Sequence, residues 1–545
     1  MALATPHPHQ TTLAASLRRL SSFLMIFKTP APRMATEKLH LSCLDQRTVR
    51  VYTQTLIIFP FPDGDQTEAA ISAVTDGLRE ALKTFPFLAG TLSLSDDQSG
   101  KLTLTYPNEV SDLTNSRLFH WKVIPLSKFG YSYEQLKKAG MPPHHFTPEV
   151  FLPDDLLNYP GIPPSGEGIV DFSRSSAPAF RFQANFIPGG LVLSMYFHHT
   201  LMDCSGINTF WKHLAGEISS ASRGPGEKRV DSPVTDLSPD QSELRRRLDE
   251  LAPATSLDTQ PSADAYTDGV FTYDKTLEEN APCELRYLVI PASTMRDYRD
   301  NLKQYFPRDS PPSICNVLAA LLWIHVTRAR VSRVGSCKCR EQQGCEHKRT
   351  NIGIATDLRK RRDPHLSSDY MGNLALFSKG TLSIADITAE DRVTDLTIVA
   401  AVREIQRTIA QVNNEWVENH LAFFKSIKQI KSTECGLLFT PLTFSALGFK
   451  FGFDLYITSW MNFAADLQWN IPGTDLDENS LHGRADYIRR TYGPSDGGMM
   501  IMPRRRSLVN GMEAPYEIMV RLAAVDMKTL LAEEGGISKW CQRVI

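Results

Sequence analysis

Charge of a dominant sign is the first thing this 545-residue chain lacks: 59 Lys and Arg stand against 61 Asp and Glu, a formal net charge of -2 at pH 7. So balanced a chain offers no bulk field toward nucleic acid or an anionic membrane surface, and neither is an expected partner. Long hydrophobic runs are missing too, and no uninterrupted apolar stretch is long enough to span a bilayer. Cysteine is sparse and odd in number, nine residues scattered without the spacing of a secreted disulfide framework. That usage fits a reducing compartment, so the cytoplasm is the expected location. Neither a Walker-type loop nor a dinucleotide-binding glycine pattern stands out, and no short-period repeat is present.

What remains has the composition of a folded α/β chain, 42% hydrophobic and 22% charged. Its length exceeds one ordinary core, so two domains of similar size are expected. Residues 1–36 are acid-poor, with Glu37 the first acidic residue. They read as a disordered extension or an upstream start before Met34, with organelle targeting as the alternative. Residues 37–218 read as a first lobe and 266–545 as a second. Between them, 219–265 is rich in Ser, Pro, Asp and charge, a linker with a short charged helix near Glu243 to Leu251. In the first lobe Tyr52 to Phe61 reads as a strand, Glu68 to Phe85 as a helix capped by Thr67, and the Pro- and Gly-rich Ser127 to Ala177 as surface connections. In the second, Glu284 to Ile290, Asn351 to Thr356, Leu437 to Leu442, Asp454 to Trp460, Met499 to Pro503 and Tyr516 to Leu522 read as strands. Ser313 to Ala329 reads as a buried helix.

The stretch that carries chemistry runs from Leu191 to Gly206. Leu191, Leu193, Met195, Phe197 and His199 share one face of a strand, while Val192, Ser194, Tyr196 and His198 share the other. With the apolar face buried, His199 points inward at the strand's end. Imidazole is the side chain best suited to moving protons near neutral pH. Asp203 follows four positions later. Ser205 reads as the cap of a helix on which Ile207, Phe210, Trp211 and Leu214 recur at helical spacing. Spacing alone is weak: His365–Asp369 and His482–Asp486 match it as well, both in loop-like sequence. An isolated match is more often a histidine satisfied at a core edge.

Two other signals compete. Gly493-Pro-Ser495-Asp-Gly497 has the form of a nucleophile elbow, but strand-like Met499 to Pro503 follows where the elbow needs a helix, so a hairpin turn is expected. Cys337, Cys339, Cys345 and His347 offer four soft ligands in one short segment. Their first pair is closer than zinc sites use, and basic residues surround them, so a solvated insertion without metal is expected.

In context the motif resembles that of the plant and fungal acyltransferase superfamily known as BAHD, most of all its fungal branch with trichothecene 3-O-acetyltransferase. His198-His199-Thr-Leu-Met-Asp203 meets the family's HHxxxD. Supporting phrases stand in order from Leu39 to Leu531: Leu41-Ser-Cys-Leu-Asp-Gln46, Leu78 to Gly90, Gln183 to Gly190, Asp357-Leu-Arg359-Lys-Arg361, Tyr370-Met-Gly-Asn373 and Thr458-Ser-Trp460. The second signature, DFGWG, is met only by Asp466-Leu-Gln-Trp469-Asn470, with both glycines replaced.

The resemblance implies an α/β fold of two similar lobes like chloramphenicol acetyltransferase, mixed sheet plus helices, with a channel between them. It implies acyl-CoA, most simply acetyl-CoA, as co-substrate without a bound cofactor or metal, and a monomer acting on a small specialised metabolite. His199 is then the general base, and Asp203 supports its loop with Arg359 as partner. Thr458 and Trp460 stabilise the oxyanion, and Asp466 and Trp469 are structural. A hydroxyl acceptor is the leading expectation. An amine acceptor, a condensation-type reaction or a non-catalytic binding protein of the same fold are the alternatives.

Overall fold

Two runs of β-branched and aromatic residues, Tyr52–Pro60 and Gly190–His198, pair antiparallel from Tyr52 against His198 to Pro60 against Gly190. The computed structural model describes residues 35–110, 113, 116–163, 168–223, 240–252, 276–278, 280–335, 349–361, 363, 365–367, 369–426, 450–474, 483–509 and 511–545. Among these residues the strands form three sheets.

The five-stranded sheet runs Tyr487–Arg489, Tyr52–Pro60, Gly190–His198, Phe180–Ile187, Phe119–Val123. Alternation in Gly190–His198 predicts one buried face, yet all nine residues are buried. Helices Thr67–Thr84 and Cys204–Ala221 cover the face of Leu191, Leu193 and Phe197. The other face, with Leu56, Ile58 and Val192, is covered by Phe129, Tyr133, Leu136, Phe146 and Phe151. The Pro- and Gly-rich stretch after Ser127 is therefore a second wall of the sheet, not only surface connection.

The seven-stranded sheet runs Ala375–Ser383, Arg349–Asp357, Leu455–Ser459, Gly498–Ile501, Tyr516–Ala523, Cys283–Ile290, Arg543–Val544. Helices Ile314–Gly335 and Asp395–Ala410 pack on it through Val317, Leu321, Ile324, Ile398 and Val402. By length and composition Ile314–Val334 could cross a membrane. Here that apolarity lines the core of the second lobe. The third sheet is Thr36–Leu39, Leu102–Pro107, Thr91–Leu94, Ala177–Pro178.

The two halves interlock. Tyr487–Arg489, from the C-terminal half, pairs with Leu56 to Ile58 and closes an edge of the first lobe's sheet. A cut at residue 266 therefore assigns that strand to the wrong sheet. Ser495 lies between this strand and Gly498–Ile501, so a strand and not a helix follows it. The segment is a crossover between sheets, which replaces the expected hairpin and leaves no nucleophile elbow. Linker helix Gln241–Leu251 buries Leu244 and Leu248 among Leu44, Leu358, Tyr370 and Leu374, in a core where both lobes meet. Thr67 is not a cap: Asp63 caps a short turn ahead of the helix, and the Thr67 hydroxyl donates to the Gly64 carbonyl at 2.7 Å. Leu437 to Leu442 and the cluster Cys337, Cys339, Cys345 and His347 lie outside the described residues.

Candidate active site

The strand ends at His198 because the chain turns back on itself. The Leu201 N–H donates to the His198 carbonyl at 2.9 Å, and the His199 N–H to the Val51 carbonyl at 2.8 Å. Helix Cys204–Ala221 then starts, and its cap is Asp203, not Ser205. The Asp203 backbone is extended, and its carboxylate accepts the Gly206 N–H at 3.0 Å. Ser205 instead donates to Asp357 at 3.1 Å. Gly206 has a steric reason to be glycine: a Cβ there would lie 2.1 Å from the Met371 carbonyl oxygen.

His199 is half-buried, and its Nδ1 is buried without a hydrogen-bond partner among the described residues. Burial holds its imidazole below the ordinary pKa; its own backbone carbonyl, Asp203 and Asn373 counter this in part, and Arg490 adds to it. The ring is thus kept neutral near pH 7, the form a base needs. His198 is fully buried between the rings of Tyr52 and Phe172, at centroid distances of 5.3 and 5.4 Å. Burial, with Arg50 and His199, pulls it down to about 3. Its Nδ1 accepts the Thr200 N–H at 3.3 Å, so the ring proton sits on Nε2. It is a core histidine.

Asp203 and Arg359 meet across the lobes in a two-pronged ion pair, both N···O distances 2.9 Å. Asp203 also accepts the Leu374 N–H at 2.9 Å, and Arg359 donates to the carbonyls of Tyr370 and Gly372, each at 3.0 Å from Nη2. Burial raises the carboxyl's pKa, but Arg359's charge and hydrogen bonds with the two N–H donors more than offset it, leaving a net lowering. Every acceptor position of Asp203 is therefore used inside the protein. Asn373, from the phrase Tyr370 to Asn373, had no role assigned from sequence. Its Nδ2 donates to the carbonyls of His199 at 2.9 Å and Thr200 at 3.1 Å.

Thr458 stands half-buried on strand Leu455–Ser459. Trp460, 3% exposed, belongs to the core cluster of Met202, Phe210 and Met371. Four residues on, the Ala464 N–H donates to Asn208 of the motif helix at 3.0 Å, docking this second-lobe segment against the first lobe.

Asp466 accepts the Arg506 N–H at 2.8 Å and the Ser507 hydroxyl at 2.6 Å, pinning a turn. Trp469 is fully buried, edge-on to Phe59 at 6.1 Å. Phe59 is seven residues from the Tyr52–His198 pair, about 23 Å along the strand. Asn470, in place of the signature's last glycine, has φ +47°, a conformation asparagine tolerates better than other side chains. Gln468, in place of the first glycine, bridges to Arg484.

The rival matches dissolve. His365 and Asp369 lie in a loop, His482 is outside the described residues, and Asp486 is held by the Tyr133 hydroxyl and by Lys137 at 2.8 Å. No His, Cys, Asp and Glu group of metal-binding form occurs among the described residues.

A neutral imidazole at the meeting of two sheeted lobes, on a loop fastened from both, is placed to act as a general base. Residues 51–216 match the trichothecene 3-O-acetyltransferase-like N-terminal domain and residues 169–464 the Transferase family, so the chain belongs to the Transferase family. It is 24% identical over 536 residues to trichothecene 8-O-acetyltransferase of Fusarium sporotrichioides, covering 93% of this chain and 98% of that one. It is 25% identical over 448 residues to eremophilane O-acetyltransferase of Penicillium roqueforti, covering 78% and 86%. The fold is that of F. graminearum TRI101 complexed with coenzyme A and T-2 mycotoxin, with a TM-score of 0.66, 17% identity, and 93% and 99% covered. It is also similar to vinorine synthase, with a TM-score of 0.53, 15% identity, and 92% and 93% covered.

Proposed function

We propose that this acyltransferase moves an acyl group, most simply acetyl, from a coenzyme A thioester to a hydroxyl of a specialised metabolite, with His199 as general base. The ring nitrogen takes the hydroxyl proton as the oxygen attacks the thioester carbonyl. The tetrahedral oxyanion is stabilised by the Thr458 hydroxyl and the Trp460 indole N–H. Collapse breaks the carbon–sulfur bond, and the proton on His199 leaves with the thiolate as free CoA, so no covalent enzyme intermediate is required. Asp203 and Arg359 hold the loop and do not touch substrate.

The observation that carries this reading is a half-buried His199 on a loop whose Asp203 has every acceptor position taken by Arg359, Gly206 and Leu374. Relatives whose names specify O-acetyl transfer support the hydroxyl acceptor. An amine acceptor is the second reading, favoured by 26% identity over 345 residues to communesin N16 acyltransferase of Penicillium expansum, covering 61% of this chain. The reading takes a monomer in the cytoplasm, a location with which unpaired Cys43, Cys204, Cys283, Cys315 and Cys541 among the described residues are consistent.

The test is a mass-spectrometric screen of small alcohols and amines against acetyl-CoA and longer acyl-CoAs. Acylated alcohols with stoichiometric CoA release are expected. Acylated amines alone would transfer the reading to the second acceptor class, and neither product would refute both.

A further inference from the structure

Three successive carbonyls follow the motif strand, those of His199, Thr200 and Leu201. Asn373 takes the first two. The third accepts from Nη2 of Arg245 at 2.7 Å, and Arg245 belongs to the linker helix Gln241–Leu251. The same guanidinium donates from Nε to Asp45 at 2.9 Å, and both partners are fully buried. The other oxygen of Asp45 accepts both the backbone N–H and the side-chain Nδ2 of Asn373, at 2.8 and 2.9 Å. Asp45 from the first lobe, Arg245 from the linker and Asn373 from the second lobe thus close one hydrogen-bonded circuit on the loop that bears His199. It runs beside the Asp203–Arg359 pair. Both guanidinium carbons stand near the ring of Tyr370, at 5.8 Å for Arg245 and 5.7 Å for Arg359.

A fully buried ion pair is a poor device for stability, because desolvation cancels most of its attraction and apolar substitutes often serve as well. What an apolar pair could not do here is hold the Leu201 carbonyl and aim Asn373 at His199 and Thr200. We propose that Arg245, through Asp45 and Asn373, is a positioning residue for the catalytic base, so that the linker between the lobes sets the orientation and burial of His199. This rests on His199 being the base.

The experiment is an NMR titration of protein labelled with 13C at the histidine ring, the His199 signal being assigned by its loss in His199→Ala. No substrate is needed. Two variants are compared with the unmodified chain. Asp45→Asn/Arg245→Met removes both buried charges together, and Arg245→Lys keeps the charge but loses the two-pronged reach. In folded variants His199 titrates at higher pH than in the parent, because hydration of the ring relieves burial, the largest influence on it, and outweighs the lost contribution of Asn373. With acetyl-CoA as donor, kcat falls about tenfold or more while KM for acetyl-CoA stays within about twofold.

An unchanged His199 titration in either folded variant overturns the proposal, and so does failure of both variants to fold, which would assign Arg245 to stability alone. Full activity in His199→Ala would instead sink the general-base reading, whatever the Arg245 variants do.

Discussion

Asp203→Asn changes one atom of a side chain that has no free acceptor position. In the parent, its carboxylate receives two Arg359 nitrogens at 2.9 Å and the N–H groups of Gly206 and Leu374 at 3.0 and 2.9 Å. An amide can accept at one oxygen only, so its NH2 must face either Arg359 with Leu374 or Arg359 with Gly206, donor against donor. Arg359, 8% exposed, also loses its principal counter-charge. Breaking a buried pair in this way costs about 3–5 kcal/mol. Asp357, half-exposed and 3.1 Å from Arg359 Nη1, retains part of the compensation, which puts the expected loss near the lower end, about 3 kcal/mol. A loop shift of the order of 1 Å then lowers kcat about 100-fold.

The pH dependence has a definite sign. The Asp203 carboxyl is depressed, so its contribution is fully present above its unfolded value near 4 and is lost as pH falls through its lower folded value. The stability difference between parent and Asp203→Asn should therefore be constant from pH 7 to 8, above the His199 titration that the Asp203 charge also raises. Thermal unfolding and steady-state kinetics across that range are the assays. Lost activity with unchanged stability would refute the reasoning, since it would place Asp203 in the chemistry and not in the loop's support.

The remaining predictions are local. Because burial holds His199 below the ordinary imidazole value, the acid limb of kcat/KM should fall below pH 6.5; a limb above it would contradict the desolvated base. Gly206→Ala places a methyl 2.1 Å from the Met371 carbonyl, so it should displace the 370–373 loop and lower both activity and melting temperature, and full activity would show that the approach is not needed. Asn470→Val, at φ +47°, should cost about 1–2 kcal/mol by denaturant unfolding while Asn470→Gly costs less, and equal losses would refute the conformational argument.

His199, Asp203 and Arg359 were legible because they stand in sequence phrases whose chemistry is specific. The site's remaining parts were hidden by burial that sequence does not display. Arg245 sits in Arg245-Arg246-Arg247, which reads as a solvated charge run, yet Arg245 is fully buried while Arg247 is exposed. Asp203 serves as both helix cap and ion-pair partner, so the nearby serine took the cap in the sequence reading. Tyr487–Arg489 is three residues long, too short for alternation to reveal its strand or the sheet it joins. The 127–177 stretch looked like surface because Pro and Gly mark turns, while its aromatic residues were quietly filling the second face of the sheet.

The central claim is that His199 takes the acceptor's proton. Its most direct test compares the parent and His199→Ala, confirmed folded by near-ultraviolet circular dichroism, for transfer from acetyl-CoA to an acceptor found in the screen, with product measured by mass spectrometry. The account predicts product from the parent and none above the uncatalysed background from the variant. Parental turnover by a folded His199→Ala would contradict it.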